Sequence, residues 1–288
     1  MSRKAKKRLG RVILYALVVL IVIITVAPFL WMVISSISTK QDLLSKPLHW
    51  IPTKVTFENY KAMLAGTSGK TTDAASQFLA AFKNSLSVTA IVTVISLAIG
   101  LIAAYSFSRF KFKGHDTLMN TILFTQMIPA VAIIIPIYSI LTNVGLINTK
   151  AGLVITYLSF VLPYMIWLMK GYIDGIAVEL EEAAMIDGCS RVKAFFIVVL
   201  PVAATGLAAT VIFAFILSWN EFFFALNFTS TAVSKTLPVL LTDFNSKFGA
   251  NYIMACTAGV LASLPPVLIA LIFQRFIISG LSQGAVKG

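Results

Sequence analysis

Apolar residues run along this chain in long unbroken blocks separated by polar connectors. The blocks span about Val12–Ile37, Ser85–Ser108, Leu118–Asn143, Ala151–Tyr172, Val202–Leu226 and Tyr252–Ile278. Each reaches the roughly 20 residues that a helix needs to cross about 30 Å of hydrocarbon. A membrane β-barrel would instead alternate in segments of about 10 residues. The pattern therefore predicts an all-α membrane protein of about six transmembrane helices. Pro129 and Pro136 in the third block and Pro163 in the fourth each remove a backbone donor and bend a helix. Whether those bends are static or hinged stays open. The sixth block is expected to break at Pro265-Pro266. On the second, Ser96, Gly100, Ala104 and Ser108 recur every four residues, a small-residue ridge suited to close helix packing.

The connector between the fourth and fifth blocks, about 175–201, breaks the pattern. A plain connector in a helix bundle takes about 2–8 residues, and this one is several times longer and strongly acidic. Val178–Asp187 reads as a helix ended by Gly188, which tolerates a left-handed backbone. Ser190 can cap a second short helix, on which Val192, Phe195, Phe196 and Val199 form an apolar stripe. Pro201 then opens the next segment. Small Ala183 and Ala184 allow another backbone close, while Glu179 and Glu182 offer carboxylates on the same side. The object is a helix–turn–helix elbow that suits a cleft on a soluble partner. A solvated amphipathic linker fits the same residues.

Composition sharpens this picture. Hydrophobic residues are 58% and charged ones 12%, with mean hydropathy +0.91, which excludes a soluble globular domain. The net charge of +12 comes with no nucleic-acid motif. It is read as orientation: basic residues gather in the head (1–11), in 109–117 and in the elbow, and such segments stay cytoplasmic. Both termini then lie inside and about 38–84 forms an extracytoplasmic loop. Its six lysines do not contradict this, because long loops cross largely regardless of charge. The first block has 26 residues, far beyond the apolar core of a signal peptide, so it is read as an uncleaved span. The expected division is a basic head, 1–11, and one transmembrane domain, 12–288. Arg275 is placed to reach headgroups from the inner end of the last span.

Candidate chemistry is sparse. Gly69-Lys70-Thr71 echoes a phosphate-binding loop, but Leu64 stands where the first glycine should be, so a flexible turn is expected. Cys189 and Cys256 lie in different elements, and His49 and His115 form no ligand set, so neither metal nor cofactor is implied. Motifs of a catalytic nucleophile or metalloprotease are missing from the sequence, and no enzymatic role is expected. Glu221, in Trp219-Asn220-Glu221-Phe222, is a charge at the upper end of the fifth span. It is either a pathway residue or a hydrated interfacial one.

Glu182-Ala183-Ala184, three residues, Gly188, then Leu200-Pro201 resembles the EAA loop of ABC importer permeases, with Val198 where that family usually has Ile. Met127-Ile-Pro129, Ile135-Pro136-Ile-Tyr138, Gly145-Leu-Ile-Asn-Thr149, Leu162-Pro163-Tyr164, Trp219-Asn-Glu-Phe222 and Thr236-Leu-Pro238 resemble its carbohydrate-uptake, maltose-type branch. The resemblance implies the ABC importer permease fold, with a coupling helix in the elbow. Its ATPase-coupling residues would be Glu179, Glu182, Ala183, Ala184, Asp187, Gly188, Leu200 and Pro201. Trp219, Asn220 and Glu221 would belong to the translocation pathway. It implies a cytoplasmic ATPase dimer, a second and distinct permease subunit, and an extracytoplasmic solute-binding protein reached by about 227–250. The expected location is a prokaryotic plasma membrane, the expected cargo a sugar. The alternative is a secondary transporter driven by an ion gradient, which needs acids near the membrane midplane.

Overall fold

A computed structural model of the chain describes residues 3–66, 73–246 and 249–285. The Gly69-Lys70-Thr71 turn and the Arg275 side chain fall outside what it describes. The helices are α1 (Arg3–Ser36), α2 (Lys40–Leu44), α3 (Glu58–Ala65), α4 (Asp73–Arg109), α5 (His115–Thr125), α6 (Ala130–Asn143) and α7 (Lys150–Asp174). They continue as α8 (Val178–Ile186), α9 (Arg191–Ala194), a π-helical turn (Phe195–Val199), α10 (Leu200–Val202), α11 (Ala204–Trp219), α12 (Phe223–Phe228), α13 (Leu237–Thr242) and α14 (Tyr252–Ala285). A two-residue antiparallel pair, Asn245–Ser246 with Gly249–Ala250, precedes α14.

Four described helices are long and apolar enough to cross a membrane singly: Gly10–Ser36, Ala74–Arg109, Lys150–Asp174 and Tyr252–Gln274. Counting two bent pairs as one span each brings the number to six. The third predicted span is one of them. Its halves, α5 and α6, meet at 94°, a sharper break than the expected kink. Pro129 disfavours helical backbone at Ile128 and itself stands in extended conformation as the N-cap of α6. The other is Arg191–Val202 with α11, bent by 76°. The sixth span departs from expectation in the opposite direction. Its helix runs from Tyr252 to Ala285 through Pro265 and Pro266 without ending, as prolines within a membrane helix are tolerated when their surroundings absorb the lost backbone bonds.

Packing divides the chain into two compact units. The first comprises Met1–Leu79 and Leu241–Ser263. Here the end of α1 is fastened to α3: the Ser36 carbonyl accepts Asn59 Nδ2 at 3.0 Å, and Ser36 Oγ lies 2.6 Å from the Tyr60 hydroxyl. The buried Asp42 accepts hydroxyl hydrogen bonds from Thr39 at 2.8 Å and Thr53 at 2.6 Å, closing the segment after α1. Most of α1 is bare apolar surface, as a lipid-facing helix should be.

The second unit comprises Ala80–Leu240 and Leu264–Gly288, and α7 runs through its core. Leu153, Tyr157, Val161, Met165, Met169 and Ile173, one every four residues, are all essentially inaccessible. The predicted ridge on α4 meets this face: Ser96 and Ala104 are fully buried, and a Cβ on Gly100 would stand 3.2 Å from Met165 Cβ. Because lipid is as apolar as these side chains, close fit rather than escape from water holds such helices together.

Candidate coupling elbow and cavity

The elbow is built by local backbone chemistry. Two acids in the first turn of α8, Glu179 and Glu181, face the positive end of its dipole. The helix ends in a Schellman motif: Cys189 N–H donates to Ala184 O at 3.0 Å and Gly188 N–H to Met185 O at 3.1 Å. Gly188 sits at φ 88°, open to L side chains only under strain. Ser190 Oγ then caps α9, accepting from Lys193 N–H at 3.3 Å. The first limb and both caps lie where the sequence predicts them.

The predicted apolar stripe does not survive. Phe195 and Val199 are buried, but Val192 and Phe196 stand 68% and 58% exposed. The cause is the π-helical turn Phe195–Val199, closed by Leu200 N–H onto Phe195 O. It widens one turn and takes the stripe off the 3.6-residue period. The helix break falls at Ala203 rather than at Pro201, which lies inside α10.

Among the predicted coupling residues, Glu179, Glu182, Ala183, Asp187, Gly188 and Pro201 are exposed, while Ala184 and Leu200 are half-buried. They form one open acidic surface with small residues at its centre. The sequence reading missed Glu181, the buried acid of α8. Its carboxylate pairs with Arg109, and Oε2 accepts the Tyr105 hydroxyl at 2.8 Å. Arg109 Nη2 also donates to the Ile176 carbonyl at 2.9 Å. A usable signal was present: Tyr105 and Arg109 are one turn apart on α4, and a cation at a buried helix end calls for an acid nearby.

The pathway candidates separate. Asn220 and Glu221 line a cavity of about 1150 Å³, together with Gln126, Ser159, Phe160 and Phe213. Trp219 does not line it; the ring is 3% exposed, stacked 5.7 Å from Phe215 and edge-on to Phe82. Glu221 also has a structural task, accepting Phe224 N–H at 2.7 Å and Ala225 N–H at 3.1 Å as the cap of α12.

Beyond α12, the first part of the 227–250 segment is held by side-chain amides; residues 247–248 lie outside the described ones. Asn148, at φ 58°, accepts Ser230 N–H at 2.9 Å, Thr231 N–H at 3.2 Å and Ser234 Oγ at 2.7 Å on one oxygen. Its own N–H donates to Phe228 O at 2.8 Å. Asn84 Nδ2 donates to Ala232 O and Lys235 O, each at 3.0 Å.

Comparison with known proteins agrees with this geometry. Residues 96–283 match the family described as binding-protein-dependent transport system inner membrane component. The chain is 35% identical to the trehalose/maltose transport system permease protein MalG of Thermococcus litoralis, over 97% of this chain and 98% of that one. It is 36% identical to the diacetylchitobiose uptake system permease protein DasC of Streptomyces coelicolor, over 97% and 98%. The fold resembles a chain of a bacterial ABC transporter involved in the import of the acidic polysaccharide alginate, with TM-score 0.79, 21% identity and coverage of 96% and 98%. A second solved structure, the alginate transporter in complex with its alginate pentasaccharide-bound periplasmic protein, matches with TM-score 0.68 at 14% identity, over 94% of both chains. These likenesses favour the importer over an ion-gradient carrier, and the chain belongs to the binding-protein-dependent inner membrane components, the permease subunits of ABC importers.

Proposed function

We propose that this permease subunit carries sugars or oligosaccharides, pairs with a second permease subunit, and takes its power stroke through the elbow from a cytoplasmic ATPase dimer. The observation that carries the coupling assignment is the open acidic face of Glu179, Glu182, Ala183 and Asp187 on a helix whose other side is bolted down. A solvated linker has no need of such an anchor. In this reading the elbow and both termini lie in the cytoplasm of a prokaryotic cell. The 38–84 and 227–250 segments face an external binding protein, and hydrolysis is left to the ATPase.

Sugar as cargo is supported by the relatives' names and by the cavity lining. Phe160, Phe213, Phe222 and Phe223 offer aromatic faces, with Gln126, Ser159, Asn220 and Glu221 as sparse polar groups. Its volume suits a ligand site, for which about 300–1,000 Å³ is common. A ligand drives alternation only by binding the two states unequally, so the ATPase must grip the elbow differently in each.

The test uses the complete transporter in vesicles. Ala183→Cys is expected to cross-link to a cysteine on the ATPase cleft, and a di- or oligosaccharide with its binding protein to stimulate ATP hydrolysis. Uptake should persist when proton and sodium gradients are collapsed with ATP maintained. Labelling of Ala183→Cys from outside intact cells would reverse the assigned orientation. Silence across a panel of maltose, trehalose and chitobiose would remove the sugar assignment alone.

A further inference from the structure

The C-terminal end of α4 holds both limbs of the elbow at once. Arg109 and Glu181 are 5% and 4% exposed at their side chains, and the ion pair joins α4 to the first limb. The Arg109 bond to Ile176 O secures the link between α7 and α8. Tyr105, whose hydroxyl serves Glu181, also sets its ring edge-on to Phe195 in the second limb, 4.7 Å between centroids. Phe110 packs edge-on to Tyr105 at 6.1 Å and receives the Arg191 guanidinium 5.1 Å from its ring centroid. One helix end thus touches the start of the elbow, its first helix and its second.

Chain connectivity does not require this. The elbow hangs covalently from α7 and α11 only, so a push on its exposed face reaches α4 through non-covalent contacts alone. Apolar contacts can slide past one another at little cost. A buried ion pair cannot, because parting it strands two charges in a low-dielectric interior.

We propose that Arg109, Glu181 and Tyr105 form the lock that transmits displacement of the elbow into α4, so that the end of α4, α8 and the π-helical turn move as one body. The inference rests on the reading that the elbow receives an ATPase. The three are positioning residues; they act on the solute path through α4 and α7, whose faces interlock at Gly100 and Met165.

The experiment measures sugar imported per ATP hydrolysed by the complete transporter in vesicles. Glu181→Gln and Arg109→Lys are expected to lower that ratio roughly threefold to tenfold, while a cysteine at Asp187 still cross-links to the ATPase. The double variant Glu181→Leu/Arg109→Leu strands no charge and should assemble with nearly unchanged thermal stability. It should nonetheless be as poorly coupled as the single variants, a result that a merely structural pair would not produce. Spin labels at Lys111 and Asp187 should report one distance, the same in nucleotide-free and ATP-trapped states, and a broadened distance in the double variant. A double variant with native stoichiometry, or a wild-type label distance that changes between states, overturns the lock. Loss of the Asp187 cross-link in the otherwise native protein overturns the coupling role of the elbow itself, and the lock with it.

Discussion

Two loops are fastened to the second unit by opposite means. At the elbow a buried ion pair does the work, with Glu181 and Arg109 nearly inaccessible. At the 229–237 segment neutral amides do it, Asn148 and Asn84 gathering backbone and hydroxyl groups. A neutral clasp is a sum of bonds, each worth about 1 kcal/mol net, so losing one loosens it by degrees. An ion pair behaves otherwise: removing one member leaves the other charged and buried. The clasp tolerates adjustment, and the pair makes its joint all-or-none. A connector that must follow a partner's stroke gains from the second behaviour; a loop that needs only to hold its shape is served by the first.

The comparison is most easily broken at the elbow. Glu181→Ala leaves Arg109 unpaired and is expected to lose about 3–5 kcal/mol, read as a fall in thermal stability in detergent. The Glu181→Leu/Arg109→Leu double variant should recover most of it. If the double variant is no more stable than the single, stranded charge is not the cause.

At the clasp, Asn148→Ala is expected to cost about 2 kcal/mol, part from lost hydrogen bonds and part from the left-handed backbone. Asn148→Gly keeps the backbone freedom and should cost about half as much. Equal losses in the two variants would mean that the backbone contributes nothing.

A smaller effect separates backbone from contact at the elbow's turn. A Cβ on Gly188 meets nothing within 4 Å, so Gly188→Ala is expected to cost about 1 kcal/mol through its positive φ alone. Amide exchange at Cys189 should quicken as the Schellman bond weakens.

The smallest effect sits between the two modes, where a charge is held by neutral donors. Side-chain hydrogen bonds from Thr53, then Thr39, bring the Asp42 carboxyl down to about 2. Because its folded value lies below the ordinary carboxylate value, its stabilisation is complete above about pH 4 and disappears as pH falls through about 2. Thr53→Val should move that acid transition to higher pH, followed by fluorescence or circular dichroism. An unchanged transition would show that Thr53 does not hold the charge.

Much of the molecule was legible in advance because local rules dictate it. Six apolar blocks became six spans when the bent pairs are counted, and α8, its glycine stop and its serine cap appear at the predicted residues. The ridge of Ser96, Gly100 and Ala104 packs as its spacing implied. What failed depended on surroundings. The π-helical turn split Val192 and Phe196 from Phe195 and Val199, and α14 absorbed two prolines expected to break it. Asn220 and Glu221 share a cavity while their neighbour Trp219 is packed away from it, which a run of adjacent letters cannot reveal.

By itself the sequence determined the solvent of the chain, the number of its spans and the position of the elbow. Hydropathy, glycine stops and hydroxyl caps act over a few residues and need no partner. Only the tertiary structure decided which acid of α8 faces inward, which helix end receives it and which aromatic rings line the cavity. Those choices rest on groups 67 to 90 positions apart being brought within hydrogen-bond or ring-contact distance, and spacing along the chain carries no information about such meetings.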